Sequence, residues 1–274
     1  MNDPWDDQSA DELPRLICEG LAEHDLPGGR RPLLRQRLLA RVGASLAAQV
    51  GLLTVRARDG LWRAVKAGVR AKILWEGPEG NSVLIELAPG ASLPVHRHAC
   101  LEEGIVLSGG FQIDGLELGP GDYHLSPAGS RHGRIRSRQG VVAYLRGTSL
   151  GHAGAMFGEL VGGLLPGAGV PPLTVQAGGG GWETLAPGVD SRTLWRDGGT
   201  VSRFLRLAPG ASLPAPERVA AEECMVIAGE AYCGDLLLGG GDFLLIPAGA
   251  QPGPWASDGG GLVFLRGQPA GDGR

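Results

Sequence analysis

The chain has 274 residues, 43% of them hydrophobic and 20% charged, an ordinary globular balance with a soft prior of two domains. Lys and Arg number 25 against 29 Asp and Glu, so the net charge is −4, which argues against a nucleic-acid partner or an anionic membrane surface. No run of about 18 apolar residues occurs, so no transmembrane helix is expected.

The 48 Gly and 20 Pro fall mostly at turns between alternating apolar runs, the pattern of a many-stranded β protein. Cys18, Cys100, Cys224 and Cys233 form no C-x-x-C pair, so no thiolate zinc site or redox motif is expected. The acidic start lacks a basic stretch leading into an apolar one, so no secretory leader is expected and a reducing cytoplasm is the expected location.

In chain order, Met1 to Asp11 is acidic and polar, and Glu12 to Leu26 is weakly amphipathic up to the break at Pro27-Gly28-Gly29. Arg31 to Val50 is the strongest predicted helix, with Pro32 in its first turn. Leu34, Leu38, Leu39, Val42, Leu46 and Val50 fall on one stripe, with Arg30, Arg35, Arg37 and Arg41 off it. Residues 1–60 are thus read as a helical N-terminal segment. It packs on a barrel or a second subunit of a homodimer, or docks a protein partner.

Residues 61–150 read as a first β domain, with short runs at Lys72–Trp75, Val83–Leu87, Ile105–Leu107, Tyr123–Leu125 and Val141–Leu145. His96 and His98 are two apart, so on a strand both imidazoles share one face. Glu102 follows after a three-residue gap, and His132 follows the turn Pro127-Ala128-Gly129. Three imidazoles and one carboxylate suit one divalent transition metal per chain, with zinc favoured and iron, manganese or nickel as alternatives. Tyr123, Tyr144, His124, Cys100 and Arg134 are the other polar groups near these ligands in sequence. Cys100, between His98 and Glu102, reads as a small buried hydrophobe, with a redox-sensitive thiol as the alternative.

Gly90, His96, His98, Glu102 and Gly109 resemble the first motif of the cupin superfamily, G-x5-H-x-H-x3-E-x6-G, with every spacing kept. Gly121, Pro127, Gly129 and His132 resemble the second, with Arg136 where that motif ends in Asn. The gap before Glu102 and the Glu102-Glu103 pair are similar to the cupin domain of ChrR-type anti-sigma factors. This resemblance implies an all-β, jelly-roll fold. The stretch RPLLRQRLLARV is also similar to the segment following the sigma-binding domain in such factors, but the H-x3-C-x2-C zinc motif of that domain is missing, and Cys18 and His24 alone do not supply it.

Residues 151–181 read as a connector, with a short helix at Ala153 to Leu165 covering a barrel face and a Gly-Pro-rich linker after it. Residues 182–270 repeat the first domain at an offset of 120. Leu87–Pro94 recurs unchanged at Leu207–Pro214, Pro127-Ala128-Gly129 at Pro247-Ala248-Gly249, and Leu145-Arg146-Gly147 at Leu265-Arg266-Gly267, with no gap. The expected architecture is two tandem cupin barrels behind a short helical segment.

The repeats diverge at the ligands. Pro216, Arg218 and Pro252 replace His96, His98 and His132, and only Glu102 keeps a counterpart, Glu222. Pro has no ligating side chain and Arg stays a cation, so the second barrel is expected to be metal-free and structural. Arg218 is expected to pair with Glu222 in the metal's place. A regulatory or sensory metal-binding module with a small-molecule ligand is the leading functional reading. A metal-dependent dioxygenase is the alternative, and a metal that serves folding alone is a third.

Overall fold

The structure is a computed structural model that describes residues 30–150, 158, 162, 170–215 and 220–268; of His132 it describes the backbone only. Residues up to Ala47 form one compact unit and those from Ala48 onward another. The helix Arg30–Ala48, all but its last residue in the first unit, has no acidic residue in its first turn. Leu33, Leu34, Leu38, Leu39, Val42 and Leu46 on it are exposed. The predicted helix at Glu12 to Leu26 lies outside the described residues. No helix among the described residues is long and apolar enough to cross a membrane.

The second unit is all β. One sheet runs in the order Leu173–Val175, Tyr123–Ser126, Glu102–Gly109, Val141–Thr148, Gly80–Leu87, Val69–Gly77, Arg63–Lys66. The other follows the same order 120 residues on, from Leu53–Val55 and Phe243–Ile246 to Glu183–Ala186. All pairs are antiparallel.

The two outermost strands are exchanged. Leu53–Val55, which precedes the first barrel, pairs with Phe243–Ile246 of the second, and Leu173–Val175, which precedes the second, pairs with Tyr123–Ser126 of the first. Two sequence-based boundaries change accordingly. The helical segment drawn to residue 60 ends in a strand, and the 151–181 linker contains one. A three-residue strand is too short for a periodicity signal, and only pairing with the opposite barrel defines it. Two aspartates, Asp242 buried and Asp122 half-buried, fasten the exchange. Asp122 accepts from Ala177 N–H at 2.7 Å and Asp242 from Ala57 N–H at 2.7 Å. Lys72 donates to the carbonyls of Arg56, Ala57 and Asp59 at 3.1, 2.8 and 2.7 Å, and its repeat counterpart Arg192 donates to Gln176 O at 2.8 Å.

Strands of the main sheets are buried on both faces, so they lack clean apolar–polar alternation. One face lines its own barrel, with Val69, Ile85, Leu87 and Val106 in the first and Val189, Leu205, Leu207 and Val226 in the second. The opposite faces meet in a core shared between the barrels, where Tyr144 and Phe264 have ring centroids 5.8 Å apart. Charge is buried beside that core and crosses between the repeats. Arg146 Nε lies 3.0 Å from Glu223 Oε1, and Arg266 Nε lies 2.6 Å from Glu103 Oε2. Glu79 bridges both guanidinium groups, at 2.6 Å from Arg146 and 3.6 Å from Arg266.

Candidate metal centre

Both motifs lie along one end of the first barrel. The two-residue strand His96–Arg97 pairs with Arg131–His132, placing His132 directly opposite His96 in the ladder. His98 continues this junction: its N–H donates to Ser130 O at 2.9 Å, and its carbonyl accepts from Gly129 N–H at 2.8 Å. The turn that makes this fit has Gly129 at φ +77°, a left-handed conformation costly for any side chain. Gly109 is needed for a second reason, because a Cβ there would stand 2.1 Å from Gly140 O. The motif glycines therefore set the backbone that carries the histidines.

Glu102 opens the long strand Glu102–Gly109, and alternation divides its acidic pair. Glu103 is fully buried in the ion pairs between barrels, while Glu102 lines a cavity of the first barrel together with His96. His96 and His98 have ring centroids 4.9 Å apart, and His98 Nδ1 is 3.8 Å from Glu102 Oε1. Two donors bound to one ion at about 2.1 Å in tetrahedral geometry stand about 3.4 Å apart, so this spacing is close to that of a shared metal. His96 Nδ1 lies 3.0 Å from Pro94 O. A carbonyl only accepts, so Nδ1 carries the proton and Nε2 holds the lone pair that could coordinate, the arrangement usual in metal-binding histidines. The structure thus brings together three of the four predicted ligands and holds the fourth by register; the His132 side chain is outside the described residues. Among the described residues, no group of three His, Cys, Asp or Glu side chains is arranged as a finished metal cage.

The neighbouring polar groups sort differently from their sequence positions. Tyr123 and Tyr144 face the core between the barrels: Tyr123 OH donates to Glu103 Oε1 at 2.7 Å, and Tyr144 OH donates to Glu223 Oε2 at 3.3 Å. Burial pushes both phenols well above their ordinary range, assisted by the adjacent carboxylates. Cys100 and Arg134 are exposed, so the expectation of a buried Cys100 is corrected. It lies in the bend after His98, not on a strand with an inward face. His124 is buried, and its Nδ1 is 2.9 Å from Thr174 Oγ1 on the exchanged strand. Burial lowers its pKa, against the charges of Glu102 and Asp114, so the ring is held neutral. The predicted helix at Ala153 to Leu165 lies outside the described residues apart from Gly158 and Gly162; Gly162 O accepts from Arg97 Nε at 3.3 Å.

In the second barrel, Glu222 is buried, and Arg203 NH2 lies 3.3 Å from its Oε1. Arg203 occupies the position of Val83, so a cation enters this barrel from the strand Thr200–Leu207. Arg218, the cation expected there, lies outside the described residues, as does Pro216.

Residues 51–150 match the ChrR cupin-like domain family. The anti-sigma-E factor ChrR of Cereibacter sphaeroides is 33% identical over 109 residues, 40% of this chain, and the chain spans about half the length of that relative. Among solved structures, a candidate dioxygenase from Nostoc punctiforme superposes with a TM-score of 0.60 at 15% identity, covering 80% of this chain and 83% of that one. A deletion mutant of Bacillus subtilis oxalate decarboxylase gives 0.55 at 18%, covering 80% and 77%. Identities this low establish the fold alone. The chain is a two-barrel protein of cupin fold, and residues 51–150, which hold its first barrel, match the ChrR cupin-like domain family.

Proposed function

We propose that the first barrel is a metal-dependent sensory module that holds one divalent ion through His96, His98, Glu102 and His132, zinc first, and binds a small molecule beside it. The observation that carries this reading is the gathering of His96, His98 and Glu102, of which His96 and Glu102 line an apolar cavity. Metal chemistry among relatives supports it, since B. subtilis oxalate decarboxylase has Mn(II) centres. The metal would supply a Lewis-acidic, open coordination position. The chain's own part is to neutralise and orient: Glu102 offsets charge, and Pro94 O fixes the His96 tautomer. The likeness to ChrR favours a regulatory role, and the Arg-rich helix Arg30–Ala48 is the element offered to a protein partner.

The apolar cavity also suits an enzyme, and the dioxygenase reading rests on that feature. Oxygen uptake by the iron-loaded protein separates the two. The sensory reading expects none above the metal-free control, and sustained turnover with any added substrate would replace it. Ala at His96, His98, Glu102 or His132 should weaken metal binding strongly, and unchanged affinity removes that residue from the site.

A further inference from the structure

The cavity beside the candidate ligands has a volume of about 270 Å³, room for about nine water-sized groups at ~30 Å³ each. Its walls are mainly aliphatic and aromatic, including Ile85, Leu93, Phe111 and Ile135, with His96 and Glu102 among its polar members. The second repeat treats the same space differently. Trp255 stands at the register position of Ile135 and is buried in that barrel's interior cluster, and Ala231 makes room for it where the first barrel has Phe111. One repeat has thus lost three of the four candidate ligands and placed an indole in its interior, while the other keeps all four and open apolar space.

The charge of the site narrows the occupant further, on the metal reading given above. Three neutral imidazoles and one carboxylate leave a divalent ion with a net charge of +1, which a monoanion neutralises. Lys66, whose Nζ donates to Ser92 O at 2.7 Å, also lines the cavity but is exposed, so water screens its charge and the metal end stays singly positive; the second repeat has Ala186 there. An apolar wall with a singly positive end does not match a small dianion. We propose that the first barrel binds a short-to-medium-chain apolar monocarboxylate, with its carboxylate toward the metal end and its chain along Leu93, Phe111 and Ile135.

The test is calorimetric titration of the zinc-loaded full chain with octanoate, with metal content measured on the same sample. Saturable one-to-one binding is expected, at least tenfold tighter than to octanol. Across butanoate, hexanoate and octanoate, affinity should rise about fourfold per methylene, as burial of each CH₂ implies. Ile135→Trp should weaken octanoate binding at least tenfold while retaining its metal. If that variant fails to fold, the chain-length series on the unaltered protein decides. Metal-loaded protein that ignores octanoate, shows a flat series, or takes octanol equally well overturns the ligand class and leaves the metal reading standing. Protein that takes up no metal overturns the metal reading, and this proposal with it.

Discussion

Replacing Arg146 by Met removes the guanidinium that crosses from one repeat to the other. Arg146 and Glu223 side chains are 5% and 6% exposed, so solvent screens their 3.0 Å contact little. Without Arg146, Glu223 retains the hydroxyls of Ser82 and Tyr144 but loses its ion-pair partner. An uncompensated buried carboxylate costs about 3–5 kcal/mol. For a unit of this size that is a fall in Tm of roughly 6–20 °C, at about 2–4 °C per kcal/mol. The double variant Arg146→Met, Glu223→Leu should recover much of the loss, because it removes both charges from the apolar surroundings. Thermal unfolding followed by circular dichroism measures all three. A single variant within about 1 kcal/mol of the parent would show that the pair behaves as an exposed one. Strictly additive losses would show that Arg146 and Glu223 do not compensate each other.

Three further outcomes follow from the same geometry. Asp242 is partly desolvated, which raises its pKa, but the N–H groups of Gly239 and Ala57 and the Arg56 guanidinium outweigh this and hold the carboxyl below its ordinary range. Its stabilising contribution is therefore present above the unfolded value of about 3.9 and lost as pH falls through the lower folded one, and Asp242→Asn should flatten the acid limb of the stability curve. An unchanged acid limb would mean that the fastening of the exchanged strand does not depend on that charge. Gly129→Ala meets no neighbouring atom within 4 Å, so its cost is the left-handed conformation alone, about 1–2 kcal/mol. Because the same turn holds His98, metal affinity should fall with it, and a variant that keeps full affinity would detach the turn from the site. Metal affinity should also decline as pH drops through about 6.5, where free imidazoles take up protons, and a pH-independent affinity would argue against histidine ligation.

The ligand motif and the offset repeat were legible because strand periodicity and fixed turns tie residue spacing to geometry. His96, His98 and Glu102 needed only that. The strand exchange was less visible, although Leu-Thr-Val occurs at both 53–55 and 173–175, 120 residues apart. That signal extends the repeat to both segments, which the sequence reading assigns to the N-terminal segment and the linker, but it does not say which barrel each joins. The crossed ion pairs had a comparable trace: Glu103 and Glu223, Arg146 and Arg266 persist in both repeats while three of the four ligands change. Which face those residues occupied depended on strands buried on both sides, where polar residues no longer mark solvent. Arg203 was detectable as a charge replacing Val83 in an apolar strand. Reading only the ligand positions directed attention to Arg218 instead.

The most direct test of the central claim is elemental analysis of the full chain after incubation with excess zinc and removal of loosely bound metal, alongside the Glu102→Ala and Glu222→Ala variants. The account predicts one equivalent per chain, lost in Glu102→Ala and retained in Glu222→Ala. Two specific equivalents, none at all, or a single equivalent that survives Glu102→Ala would contradict it.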